Sequence, residues 1–346
     1  MMTTSYISSL SLWNLPRSAS GRLQAEIANA TKEIADGRYA DVGLAIGGQV
    51  GRSLSLRQSA AEIAALKDGN GLTASRLNAS QANLQQMQKA ADARLATLTG
   101  LPADQRVAAM AASADDTLAT LTGLLNATSN GQSLFSGTNT GMSPIRDGAA
   151  AAAKTNAVAA FQSAFGFPPS DARTAGLTAA QIQGFLEGTV AAQFADPNWG
   201  TTWSQASSTP ITSRISLTET VTTSVGANET AFRQLAEAAL VSSLGMTGLS
   251  AEAQAVVSNR AMSLLSKGSA GLVSLQADLG RAQARITDAN ARLDAQSALV
   301  TKEIAGLEAV DPAEAKTRLN AATTQLQMSY SLTAQLQGLS LLKYIS

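Results

Sequence analysis

The chain has 346 residues, which at about 100–200 residues per domain makes room for two or three domains. Its 25 Lys and Arg balance 25 Asp and Glu, and this zero net charge argues against attachment to nucleic acid or anionic lipid by bulk charge. The lack of both Cys and His excludes disulfides, thiolate nucleophiles, Ser-His-Asp triads, His general bases and Cys- or His-ligated zinc.

Hydrophobic residues make up 45% of the chain, but 67 of them are Ala, the best helix former. Aromatics are only 4%, and charged residues, at 14%, fall well below the usual quarter. That composition suits long helices in close contact and suits a compact, aromatic-cored enzyme poorly. No stretch reaches the roughly 18 continuous apolar residues of a membrane span. The opening Met1-Met2-Thr3-Thr4-Ser5-Tyr6-Ile7-Ser8-Ser9-Leu10 has neither a basic n-region nor an unbroken apolar run, so no cleaved secretory signal is expected.

From Ser20 to Ala35, Leu23, Ile27, Ala30 and Ile34 alternate four and three apart, a heptad seam that predicts a helix. Gly37, Gly43, Gly47, Gly48 and Gly51 break it. A second helix is expected from Ser53, read as its N-cap, with Ile63, Leu66, Leu77, Leu84, Met87, Ala91 and Leu98 in one register. Polar Asn70, Thr73, Ser80 and Arg94 share that register, and polar seam residues typically fix alignment or partner choice. Gly100-Leu101-Pro102 ends the segment. A third helix is expected through Val107, Ala111, Ala114, Leu118, Leu121 and Leu125.

Asn130-Gly131 and Ser136-Gly137 then mark turns, and the composition changes. Seven of the 14 aromatics fall between Phe161 and Trp203, which predicts a small inserted domain with its own aromatic core. Ile211, Ile215, Leu217, Val221 and Val225 alternate enough to suggest strands. Helices resume near Asn228, an N-cap candidate, and from Ser250. Leu272, Leu275, Leu279, Ala282, Ile286, Ala289, Leu293, Gln296, Val300, Glu303, Leu307 and Val310 fit one register over nearly six heptads. Asp311-Pro312 interrupts it, with Pro suited to the first position of a new helix. Leu319, Ala322, Leu326, Thr333 and Leu336 carry the pattern to the C-terminus. The two ends therefore pair with each other or with neighbouring copies.

Chemical motifs are few. Gly47-Gly48-Gln49-Val50-Gly51-Arg52-Ser53 has three residues between its glycines where a phosphate-binding loop has four, and Arg where that loop has Lys. A structural turn is the stronger reading. Asp115 and Asp116 sit side by side on a predicted helix, where adjacent positions diverge, so they read as solvated rather than catalytic. Asn29, Asn78, Asn126 and Asn228 head Asn-x-Ser/Thr triplets mostly within predicted helices, poor ground for glycosylation. Trp199 and Trp203 read as core or surface patch before sugar platform. No catalytic, cofactor-binding or metal-binding residue is assigned, and no enzyme activity or cofactor is expected.

Three segments carry a family resemblance: Asp36-Gly37-Arg38-Tyr39-Ala40-Asp41-Val42-Gly43 after the first helix, Asn130-Gly131-Gln132-Ser133-Leu134-Phe135-Ser136-Gly137-Thr138-Asn139-Thr140 after the third, and Arg214-Ile215-Ser216-Leu217-Thr218-Glu219-Thr220-Val221. With the Leu-rich ending Leu339-Ser340-Leu341-Leu342-Lys343-Tyr344-Ile345-Ser346, the sequence resembles the flagellin superfamily, in particular its hook-associated protein 3 type in an alphaproteobacterial-like form. The resemblance covers about 1–140 and 205–346. It implies a mainly α fold, a long antiparallel coiled-coil bundle from both chain ends with a small inserted α+β or β-containing outer domain. The implied divisions are terminal helices at 1–40 and 312–346, a helical core at 41–140 and 205–311, and a variable outward domain at 141–204.

The implied role is a structural adaptor joining hook to filament; the alternative is flagellin, the filament subunit itself. The expected assembly interface is the apolar seam: Leu23, Ile27, Ile34, Leu272, Leu279, Ile286, Leu293, Val300, Leu307, Leu319, Leu326 and Leu336. The resemblance also implies a homo-oligomeric ring beside a neighbouring hook-associated protein and flagellin, and contact with the flagellar export apparatus and its chaperone. Neither nucleic acid nor membrane is an expected partner. The location implied is extracellular, on the flagellum, after export by the flagellar type III route without a cleaved signal.

Overall fold

The computed structural model describes residues 9–345, with side-chain surroundings for 18–335. The sequence readings at Met1–Ser8, at Leu336 and at the Leu339–Ser346 ending lie outside the described side chains. The chain divides into two compact units, one holding residues up to Ala65 and from Leu293 onward, the other Leu66–Arg292. Both boundaries fall inside long helices.

In the first unit, helix α1 (Ser9–Asp36) runs to a turn at Gly37, and a short α2 (Val42–Ile46) capped by Asp41 leads through a single 3₁₀ turn, Gly47–Gln49, into α3 (Val50–Gly100). Ser53, expected to cap this helix, lies within it and is buried, its hydroxyl bonded to Glu308. The helix starts earlier because Val50 already follows the 3₁₀ turn in helical geometry, leaving the hydroxyl free for a tertiary contact.

In the second unit, Pro102 opens α4 (Ala103–Ala112), followed by α5 (Ala114–Leu125). The single helix expected across 107–125 is therefore two, broken at Ser113. The Arg94 guanidinium explains the break, donating to the Ser113 hydroxyl, to its carbonyl and to Thr117 Oγ1. The apolar spacing survives it except at Ala111, which is half-buried while Met110 takes the buried place; Val107, Ala114, Leu118, Leu121 and Leu125 are all buried.

A tight hairpin, β1 (Thr128–Ser129) with β2 (Gln132–Ser133), turns on Asn130-Gly131, both at positive φ, as this pair favours. Helix α6 (Ala149–Phe165) and a short α7 (Ala179–Gly184) follow, then π-helical turns at Phe185–Val190 and Trp199–Trp203. A second hairpin pairs β3 (Thr212–Arg214) with β4 (Thr220–Thr222), where alternation predicted strands. Helix α8 (Thr230–Ser243) starts after Glu229 rather than at Asn228. Asn228 instead accepts the Trp199 indole N–H at 3.1 Å and donates to the Ala206 carbonyl. Tertiary bonds outweigh the cap here. Ser250 precedes α9 (Ala251–Glu308), and Pro312 is the first residue of α10 (Pro312–Ile345), as its fixed φ suits.

One hydrophobic cluster organises the second unit. It joins Leu77, Leu84 and Met87 of α3, Leu118 and Leu125 of α5, Phe161 of α6, and Phe232, Leu235 and Leu240 of α8 to Leu272, Leu279 and Ile286 of α9. The rings of 161–203 pack on one another: Phe161 meets Phe165 and Phe185, while Trp199 stacks on Trp203 at 5.5 Å. The same segment also packs on α8 and belongs to the common cluster. Helices α8 and α9 approach so closely that a Cβ on Gly268 would stand 2.6 Å from Leu235 Cδ2. By contrast a Cβ on Gly69 of α3 would meet nothing within 4 Å.

These two glycines should respond oppositely to Ala. Gly268→Ala should lower the denaturant midpoint through overpacking by about 1–3 kcal/mol, whereas Gly69→Ala should raise stability by up to about 1 kcal/mol through helix propensity. Urea melts of the two variants beside the parent chain check both signs.

Candidate assembly interface

Helices α1 and α10 pack antiparallel along the first unit. The Gln24 amide donates to the Tyr330 hydroxyl at 2.9 Å, and the Arg318 guanidinium donates to Glu33 at 2.7 Å near the other end. The buried apolar seam consists of Ala30 on α1 with Ala322 on α10 between these contacts and Ala315 just beyond Arg318. The larger side chains Leu23, Ile27, Leu319 and Leu326 are only half-buried, as are Val300 and Leu307. Ile34 is 39% exposed. Leu272, Leu279, Ile286 and Leu293 of α9 are buried within the chain. The expected seam thus separates into residues that intrachain packing covers and residues that it leaves partly open. Leu336 lies outside the described side chains.

Two buried carboxylates anchor the inner end of this helix pair, and the hydrophobic pattern did not single them out. Glu33, 5% exposed, accepts from the Ala40 amide as well as from Arg318. Glu308, 2% exposed, accepts from the Ser53 hydroxyl and from Arg57, and its carbonyl accepts from Tyr39 N–H at 3.1 Å. The turn after α1 pairs with the turn after α9 in a short bridge, Arg38 opposite Ala309, and Val310 N–H donates to the Gly37 carbonyl. Glu33 sits beside Ile34, the position the stripe predicts as apolar, and it is Glu33 that is buried while Ile34 is exposed. The hydrogen bond from Arg57 holds the Glu308 carboxyl below the usual carboxylate range, with Ser53 and the nearby Arg38 acting in the same sense.

The second unit has a corresponding polar seam. Asn70, fully buried, donates to the Ile215 carbonyl and to Asn290 Oδ1, tying α3 to α9 and to the approach of the β3–β4 turn. Glu219 in that turn accepts from Arg285 and Arg292 of α9, each at 2.9 Å. The Asn130–Thr140 segment closes on the same core: Leu134 and Phe135 are buried, and Phe135 meets Phe232 edge-on at 5.8 Å. Gly137 has φ +60, and a Cβ there would lie 2.5 Å from the Ser207 carbonyl oxygen, so glycine is required on both counts.

No motif gathers catalytic chemistry. Arg52, in the place of a phosphate-loop Lys, pairs with Glu303 at 3.3 Å. Asp115 is solvated and pairs with Lys154. Trp199 and Trp203 are both buried, out of reach of a sugar. A cavity of about 140 Å³ lined by Met87, Leu121, Leu235 and Leu265, with Arg94 and Asp116 at its edge, is smaller than usual ligand pockets. Among the described residues no group of three or more carboxylates is placed to hold a metal ion, and no helix is long and apolar enough to cross a membrane.

The family model for the bacterial flagellin N-terminal helical region matches residues 7–140, and that for the bacterial flagellin C-terminal helical region matches 262–345. The chain belongs to the flagellin superfamily. The two flagellin regions together span more than half of it and contain both paired helices, both buried glutamates and the Gly137 turn. No curated protein matches the chain. A flagellin-superfamily chain is a structural protein of the flagellum and polymerises with other flagellar components. The mainly α fold agrees with the membership.

The depressed pKa of Glu308 has a definite sign for stability. Its contribution is full above the ordinary carboxylate pKa, about 4.3, and is lost as pH falls through the lower folded-state value. Glu308→Gln should cost about 1–3 kcal/mol near neutrality, the worth of charge-assisted hydrogen bonds. The difference should disappear in acid, where both side chains are neutral. Urea melts of parent and variant across a pH series measure it.

Proposed function

We propose that this chain is the adaptor that joins the flagellar hook to the filament, assembling as a homo-oligomeric ring through its two terminal helices. The observation that carries the assembly role is the half-buried state of Leu23, Ile27, Leu319 and Leu326 along a seam whose fully buried members are mainly Ala. Full burial of such a side chain is worth roughly 1.5–3 kcal/mol, so covering its exposed half adds about 1 kcal/mol, and neighbouring copies supply the cover. A lone pair of helices with so little buried area is marginal against its ordering entropy.

The choice of the junction rests on the resemblance of Asn130–Thr140 and Arg214–Val221 to the hook-associated type. In this reading 1–40 and 312–346 form the inner assembly helices, 41–140 and 205–311 the core, and 141–204 an outward domain. In support, 141–204 falls outside both flagellin regions, and its aromatic rings pair with one another. The neighbours would be another hook-associated protein on one side and flagellin on the other. The chain would reach them by the flagellar type III route with a chaperone. A filament subunit is the second reading, favoured by the description of both matched regions as flagellin.

Immuno-gold labelling of isolated flagella separates the two. A single band of label where hook meets filament is expected. Label along the whole filament would make the chain a filament subunit, and loss of filaments with intact hooks in a deletion strain should accompany the first outcome.

A further inference from the structure

We infer that the pairs Glu33–Arg318 and Glu308–Arg57, each a buried carboxylate held by a partly exposed guanidinium, are the register lock of the terminal helix pair, selecting one alignment of α1 on α10 that the apolar seam cannot select. The inference concerns contacts within one chain and holds for an adaptor or a filament subunit alike.

The seam is degenerate. Its buried positions are Ala30, Ala315 and Ala322, and further alanines flank them at Ala25, Ala28, Ala313 and Ala321. Sliding α10 by one heptad replaces small apolar contacts with similar ones, so packing distinguishes the alignments weakly. The glutamates distinguish them sharply. In the observed alignment Glu33 lies against Arg318. A slip one way sets Glu33 against Asp311 and Arg318 against Glu26. A slip the other way sets Glu33 against Gln325 and carries Arg318 past Asp36, the last residue of α1. Each alternative deprives a buried carboxylate of its cation, and one adds a like charge.

Glu308 locks the same end from the other side. It is the last residue of α9, and its grip on Ser53 and Arg57 fixes where α10 begins relative to the turn that ends α1. Two further charged groups act at the lock: Glu314 lies 3.9 Å from Arg318, and Arg38 acts on Glu308. Specifying register is the best-attested use of polar groups buried in a helical seam.

The chain has no cysteine, so Ala25→Cys and Ala313→Cys, on exposed positions of α1 and α10, give two clean spin-label sites. They are offset along the helix pair, so a one-heptad slip of about 10 Å changes their separation by most of that amount. Pulsed electron–electron distance measurement on the doubly labelled chain, diluted with unlabelled chain in the assembled polymer, should give one narrow peak. Arg318→Glu should move or split it toward the alignment that faces Glu33 with Gln325, and adding Glu33→Arg should restore it. Leu319→Ala, which trims the neighbouring apolar group, should leave it in place. A broad parent distribution, an unchanged distance in Arg318→Glu, a failure of Glu33→Arg to restore the peak, or an equal shift in Leu319→Ala would each overturn the inference.

Discussion

The antiparallel contact between α1 and α10 brings the chain's two ends together, and its seam is thin. Alanine carries its fully buried positions, so the helices approach closely while little apolar area leaves water. The Leu and Ile side chains beside them are half-covered. A seam built this way favours pairing without completing it, and the remaining apolar surface is available to further copies of the same helices.

The second unit meets its stability requirement differently. It concentrates Phe, Trp and Leu in one cluster, with Gly268 letting α8 and α9 meet closely and Gly137 admitting the Ser207 carbonyl. The regions that match flagellin enter this cluster through α3, α4, α5 and α9, and the segment between them contributes α6, the π-helical turns and α8. A unit with a large apolar core and a helix pair with a thin seam suit a subunit that folds first and polymerises afterwards.

Long-range periodicity was legible in the sequence because it is local chemistry repeated. The heptads of α9 gave its buried face from Leu272 to Leu293, and Pro312 marked the start of α10. Alternation located the second hairpin, while Asn130-Gly131 marked the turn of the first but not its two-residue strands. The misplaced boundaries share one cause. Ser53 and Asn228 have the chemistry of N-caps, but each is engaged by a distant partner, Glu308 and Trp199, that sequence spacing does not reveal. Ser113 breaks a continuous heptad for the same reason, through Arg94. Glu33 and Glu308 were invisible to a hydrophobic pattern because their burial depends on cations 285 and 251 residues away in sequence.

Hydrogen exchange followed residue by residue in the isolated chain and in the assembled polymer tests the central claim most directly. If assembly completes the terminal seam, amides of residues 20–34 and 315–335 should exchange far faster than those of 272–289 in the isolated chain, and should become protected in the polymer. Equal protection of 20–34 and 272–289 in the isolated chain would contradict it, showing that the helix pair is already complete without its neighbours.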